Sequence, residues 1–374
     1  MTDTAQLRTW LTLLRTPQFA SVSLREQLAM HGGIEAVLTA LRQRMAELPP
    51  TTRQWLERPD ERRLDADLDW LAQPGHRLLL CTDEDFPPQL ETIAQPPIAL
   101  FVAGDVSLLL RPQLAIVGAR AAKLGGRMLA GAFAEALGHA GFVITSGMAE
   151  GIDGAAHLAA LDAGLPSVAV VGTGADRAYP RQHQGLARRL AAEGALVSEF
   201  PPGTPARVDH FPRRNRLISG LSLGTLVIEA GLQSGSLITA RLAAEQGREV
   251  FALPGSIHNP LAQGCHRLIR EGARLVETAA EIVEALAPAA AAMGRELAGR
   301  LYGPIVSKDL ETASATDPSS QALLEALGFG PVTLEDLAVR TGKAMAELAC
   351  ELLMLELDGR IEALPGNRYQ RLPG

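Results

Sequence analysis

Between Arg77 and Ala285, short apolar runs alternate with longer stretches of helical periodicity, and this rhythm restricts the fold more than any other feature. The runs are 78–80, 114–117, 142–144, 167–171, 195–197, 226–228 and 250–253. None shows the in–out alternation of a half-exposed strand. Each therefore needs cover on both faces, which suits parallel strands between helix layers. Strand–helix alternation over about 200 residues indicates an α/β domain with a doubly wound, mainly parallel sheet, placed at 76–288.

The flanks read differently. In residues 1–75, Leu7, Leu11 and Leu14 share one helical face, and Ile34, Val37, Leu38 and Leu41 share another. All three tryptophans (Trp10, Trp55, Trp70) lie here, and Pro74-Gly75 marks the boundary. Residues 289–318, rich in alanine with interspersed proline, read as a partly helical linker. In 319–374 a helix at 321–327 is followed by the apolar-spaced 333–338, a Thr341-Gly342 turn and a helix at 344–357. Arms at 360–363 and 369–372 then meet across Pro365-Gly366-Asn367. Three helices and a hairpin make a winged helix.

Composition excludes several classes. At 374 residues and 47% apolar content the chain can bury sizeable cores. No apolar run nears the ~20 residues that cross a bilayer, and the N-terminus carries no basic-then-apolar leader. Cys81, Cys265 and Cys350 are far apart, without metal-ligand spacing, so neither metal nor disulfide scaffold is expected, and a cytoplasmic location is. The net charge of −7 argues, taken whole, against nucleic acid. By segment the argument weakens: residues 105–285 hold 17 basic against 16 acidic side chains, so the acidity belongs to the flanks.

Ligands of open α/β sheets gather beyond the carboxyl ends of the strands. After Val117 comes Gly118-Ala119-Arg120, where glycine admits an anion to backbone amides and arginine adds charge. After Ile144 comes Ser146-Gly147-Met148-Ala149-Glu150-Gly151-Ile152-Asp153, a turn whose amides form a second candidate anion cradle. Asp153 is the candidate N-cap of the next helix, and His157 one turn later has no nucleophile beside it. Gly172-Thr173-Gly174 forms a third glycine turn. The densest basic feature, Phe211-Pro212-Arg213-Arg214-Asn215-Arg216, combines phosphate-gripping arginines with a stacking aromatic. Ser236 and Thr239, in Ser234-Gly235-Ser236-Leu237-Ile238-Thr239-Ala240, can cap a helix or bond a phosphate. Neither GxGxxG nor GxxxxGK[ST] occurs.

Together these motifs, with Phe251-Ala252-Leu253-Pro254-Gly255, resemble the DNA-processing protein A (DprA, also Smf) family over most of residues 77–285. The tail resembles that family's C-terminal winged helix, and the front helices its small SAM-like domain. The resemblance implies an extended Rossmann-like fold, a homodimer, and sequence-independent binding of single-stranded DNA without catalysis or cofactor. It also implies loading of a RecA-type recombinase and protection of incoming strands during natural transformation. Carried over by position, Arg120, Arg213 and Arg214 would grip phosphates, with Asn215 and Phe211 on the strand. Arg216 and Ser236 join that candidate set, and Gly118, Ser146, Gly147, Gly151, Gly172 and Gly174 would shape the pocket. Ala119 departs from the serine or threonine frequent in relatives, which leaves this contact to backbone and Arg120.

Two alternatives stand beside this reading. Gly224-Thr225-Leu226-Val227-Ile228-Glu229, with one residue more before its glutamate, resembles the GTxxE signature of Rossmann-type nucleotide phosphoribohydrolases, whose glutamate assists N-glycosidic cleavage. That family's preceding proline and paired glycines are replaced here by Ser219-Gly220-Leu221-Ser222-Leu223. The winged helix could instead serve a duplex-reading regulator. The second helix of its helix-turn-helix, 344–357, carries Glu347, Glu351 and Glu356, the wrong sign for a recognition helix.

Overall fold

The structure is a computed structural model and describes residues 3–19 and 21–302, then 323, 324, 326–328, 330, 332–343, 348, 352, 355, 361–364 and 368–371. The chain forms two units, Met1–Leu297 and Ala298–Gly374.

The first unit begins with helices α1 (Thr4–Leu14), α2 (Ser21–His31), α3 (Ile34–Gln43), α4 (Pro50–Glu57) and α5 (Glu61–Leu71). Helix α3 buries Ile34, Val37, Leu38 and Leu41, the i, i+3, i+4, i+7 set of one face. Asp60 caps α5 by accepting the Arg63 amide. The Trp55 indole donates to the Thr12 carbonyl at 2.9 Å, and Arg15 grips Asp67 with two bonds, joining α1 to α4 and α5.

Then follow β1 (His76–Leu80), α6 (Pro88–Glu91), β2 (Ala99–Gly104), β3 (Gln113–Gly118), α7 (Leu124–His139), β4 (Val143–Ser146) and α8 (Ile152–Asp162). Next come β5 (Ser167–Val170), α9 (Gln184–Glu193), β6 (Ala195–Ser198), α10 (His210–Leu221), β7 (Gly224–Ile228), α11 (Ser236–Glu245) and β8 (Glu249–Ala252). Helix α12 (Gln263–Arg270), β9 (Arg274–Leu275) and α13 (Ala279–Tyr302), as far as Leu297, complete the unit. The strands form one sheet in the order β1-β2-β6-β5-β4-β3-β7-β8-β9, parallel from β6 to β9.

Two differences from the sequence reading concern the sheet edges. The run at 78–80 is not a parallel strand: β1 pairs antiparallel with β2, and β2 antiparallel with β6. Strand β2, unforeseen, and the two-residue β9 extend the sheet beyond the seven runs. Leu114, Ile116, Ile144, Leu226 and Ile228 pack one face against α7, α8 and α13. On that same face, Leu78, Leu80, Phe101 and Leu196 meet α9 and the N-terminal helices. Ala115, Val117, Val168, Val170 and Val227 pack the other face against α6, α10, α11 and α12. Helix layers on both faces explain why the strands read as continuously apolar.

Helix α13 continues through Pro288 to Tyr302, so the expected linker begins as helix; residues 303–318 lie outside the described residues. In the second unit β10 (Val332–Thr333), α14 (Leu334–Thr341), β11 (Ile361–Leu364) and β12 (Arg368–Arg371) appear, with strand order β10-β12-β11. Thr333 caps α14 and Gly342, at φ 71°, ends it in the left-handed conformation. Leu327, Leu337, Leu348, Leu352 and Ile361 form the core of this winged helix. Glu347, Glu351, Glu356 and Cys350 lie outside the described residues.

Candidate nucleic-acid interface

From β3 the chain adds β4, β5 and β6 on one side, then returns through α10 to place β7 on the other. Strands β3 and β7 therefore flank the point where strand order reverses, where crevices form in doubly wound sheets. A cleft of about 650 Å³ opens there. Its walls are the turn after β3 (Gly118, Ala119, Arg120), the start of α11 (Gly235, Ser236, Thr239) and α10 (Phe211, Arg214, Asn215). The N-terminus of α11 gives that wall a positive dipole end.

Glycine at two positions sets the turn. A side chain on Gly118 would collide with the Ile228 carbonyl of β7. Gly151, at φ 79°, lies so close under Ala119 and Arg120 that a Cβ would collide with both carbonyls. The Ile152 amide at the start of α8 donates to the Ala119 carbonyl at 3.3 Å, tying this turn to α8. Arg120 is held at the mouth, exposed, with its guanidinium 5.7 Å from the centre of the Phe211 ring. Tyr179 packs against Phe211 at 5.3 Å, and Val208 is 87% exposed beside them. The mouth thus joins a cation to an apolar, aromatic platform of the kind on which bases stack.

Arg214 is the deep cation, only 6% exposed. Its Nη1 donates to the carbonyls of Gly147 (2.7 Å) and Val170, and its Nε to Asn215 Oδ1 (3.2 Å). Nη2 donates to no group among the described residues, and Arg214 lines the cleft. Burial brings its pKa down to about 10, with Asp153 opposing and Arg120 reinforcing the fall, so it remains charged at neutral pH. A side chain at Gly147 would occupy the space of this guanidinium.

The backbone amides behave differently from expectation. The Ala119 amide donates to the Glu229 carbonyl at 2.6 Å. The Gly147 and Ala149 amides donate to Asp153 Oδ2 at 3.2 and 3.4 Å. Asp153 is not the N-cap of α8, which is Gly151; it fills the second cradle with the chain's own carboxylate. Burial pushes its carboxyl above the usual range, against the pull of Arg214 and these amides. The Gly174 amide donates to the Thr204 carbonyl, and the Gly172 carbonyl bonds the His210 ring. These glycine turns shape and support the cleft, and its positive charge comes from Arg120, Arg214 and the α11 terminus.

Of the sequence candidates, Gly118, Ala119, Arg120, Phe211, Arg214, Asn215 and Ser236 line the cleft. Ser146 is buried and donates to the Ile116 carbonyl at 2.5 Å. Gly172 backs the Phe211 ring, while Gly151 and Gly174 sit in the supporting loops. Arg216 turns away into an ion pair with Glu199 at 2.6 Å, and Arg213 reaches the same carboxylate at 3.2 Å from outside. Tyr179, Val208 and the organising role of Asp153 were not foreseen. Nothing local in the sequence signals that the Tyr179 ring meets Phe211.

Two other groups are placed away from this chemistry. His157 Nδ1 bonds Ser167 Oγ at 2.7 Å, and burial lowers its pKa to about 3, keeping it neutral. Glu229 adopts φ 52° at the end of β7, with its carboxylate against Gly126 of α7 and accepting from Asn259 at 3.3 Å. Among the described residues no cluster of three or more His, Cys, Asp or Glu could hold a metal, and no helix is long and apolar enough to cross a membrane.

Comparison with known proteins bears on this geometry. The family model described as DNA recombination-mediator protein A matches residues 77–287, and a DprA winged helix domain model matches 308–367. Protein Smf of Escherichia coli is 45% identical over 310 residues, covering 83% of this chain and 81% of that protein. DNA processing protein DprA of Streptococcus pneumoniae is 43% identical over 201 residues, 54% of this chain and 71% of that protein. The solved structure of DprA from Streptococcus pneumoniae superposes with a TM-score of 0.66 at 33% identity, covering 74% of this chain and 97% of that one. A Helicobacter pylori DNA processing protein A, solved to show its single-stranded DNA binding mode, gives 0.51 at 27% identity, over 57% of this chain and 96% of that one. With one family model spanning more than half its length and a relative matched over four-fifths of both chains, this chain belongs to the DNA recombination-mediator protein A family.

Proposed function

We propose that the chain binds single-stranded DNA, without sequence preference, in the cleft between β3 and β7, and delivers it to a RecA-type recombinase. The observation that carries this is the pairing of an exposed and a buried arginine, Arg120 and Arg214, with the Phe211–Tyr179 platform at one crevice. Phosphates would meet the two guanidinium groups, and bases would stack on the rings, which every base can do. Family membership and the DNA-binding relative from Helicobacter pylori support the same ligand. In this reading the protein acts in the cytoplasm as a homodimer on incoming strands during natural transformation.

The proposed action is binding without catalysis. The Glu229 carboxylate, which a phosphoribohydrolase would need beside its substrate, packs against Gly126 and Asn259, and Glu229 does not line the cleft. Incubation with nucleoside monophosphates should release no free base; release at enzymatic rates would overturn this point. A band-shift comparison of single and double strands tests the main reading. Preference for the single strand, lost in Arg120→Glu, is the expected result, and equal binding of duplex by both proteins would refute it.

A further inference from the structure

The segment 207–213, which leads into α10, has a cleft on each side. Val208 and Phe211 face the first; Arg207, His210 and Arg213 face a second, of about 790 Å³, whose opposite wall includes Arg63 and Trp70 of α5. Neighbouring residues of this segment line both, so the two clefts share a rim. The second floor is aromatic: the Phe200 ring stacks on His210 at 4.0 Å, and the Arg213 guanidinium lies 5.3 Å from the centre of Phe200.

Its cations are available to a ligand. Glu199, buried, faces both Arg216 and Arg213, so two guanidinium groups share one carboxylate and positive charge is in excess on the exposed Arg213. Arg63 and Arg207 have side chains 66% and 63% exposed, in surface ion pairs with Asp60 and Asp209, each at 3.2 Å. Such pairs contribute little and give way to a doubly hydrogen-bonding phosphate. Three acids line the cleft: Asp67 is engaged by Arg15 and Asp176 by the Gly203 amide, while Asp69 lies exposed on the α5 wall.

We propose that this cleft is a second subsite for the DNA strand leaving the first, with Arg63, Arg207 and Arg213 taking phosphodiesters and the N-terminal helices forming one wall. The proposal rests on the reading that the first cleft binds single-stranded DNA.

The test measures affinity of the full chain for labelled oligothymidylates of about 6 and about 25 nucleotides, by fluorescence anisotropy. The variants are Arg63→Glu/Arg207→Glu, the neutral Arg63→Gln/Arg207→Gln, and Arg120→Ala. Both double variants should bind the short strand like the wild type. The Glu pair should bind the long strand about tenfold more weakly, with a salt slope shallower by about 1.4, two phosphates at ~0.7 each. The Gln pair should show the same pattern with a smaller loss. Unchanged long-strand affinity in both pairs, or equal loss at both lengths, overturns the second subsite alone. Arg120→Ala should weaken both lengths; if it weakens neither, the first-cleft reading fails and the second falls with it.

Discussion

Arg213, Arg214 and Arg216 follow one another on α10, yet the helical rotation sends them to three environments. Arg214 enters the 147–153 loop, Arg216 pairs with buried Glu199, and Arg213 lies over Phe200. The sequence shows that arginines cluster; which of them is buried depends on strands far away in the chain. This changes what substitutions test. Arg214→Ala would leave the Gly147 and Val170 carbonyls without their donor and Asp153 without its nearby charge. It should lower the unfolding free energy by about 3 kcal/mol in urea denaturation. A loss below about 0.5 kcal/mol would contradict the described bonding. Arg120→Ala, at an exposed position, should stay within about 0.5 kcal/mol of wild type while losing DNA affinity. His157 supplies a pH test. Its folded-state pKa of about 3 lies below the ordinary 6.5, so between these values the unfolded chain holds more protons. Its contribution is therefore complete above about pH 6.5 and falls as pH drops, by at most ~1.4 kcal/mol per pH unit. His157→Gln should flatten stability against pH in that window; an unchanged slope would place His157 elsewhere than in a dry core.

At the scale of elements, the seven apolar runs correspond to seven of the nine strands of the sheet, because parallel strands under two helix layers are apolar on both faces. The same cover makes Leu78–Leu80 of β1 and Ala99–Ala103 of β2 apolar, so apolarity alone says nothing of strand direction. Strand β9 has two exposed residues and no apolar signal to find. The glycine turns were legible as turns. Their amides read as free for an anion because a sequence does not show that Asp153, Glu229 and Thr204 already accept them. Packing at this scale is also testable. Phe251 of β8 is fully buried, and a Cβ on Gly224 of β7 would come within 2.8 Å of its ring. Phe251→Ala should cost about 3–5 kcal/mol by denaturation. A cost under about 1 kcal/mol would mean the β7–β8 layer is loosely packed.

For the whole molecule, net charge misleads because it averages unlike parts. The acidic flanks outweigh a central domain that is nearly neutral and gathers arginine around one crevice. The crevice itself follows from topology, since strand order reverses between β3 and β7, and no local pattern encodes that reversal. Because every wall of this cleft comes from residues 117–261, a chain ending at Tyr302 should keep single-strand affinity within about threefold. A larger loss, in a truncated chain that still folds, would make the winged helix a principal DNA site. The central claim is that Arg120 meets a phosphate, and the salt dependence of oligothymidylate binding tests it most directly. The account predicts that Arg120→Ala weakens binding and makes the slope of log affinity against log salt shallower by about 0.7, one phosphate contact. A folded variant with wild-type affinity and an unchanged slope would contradict it.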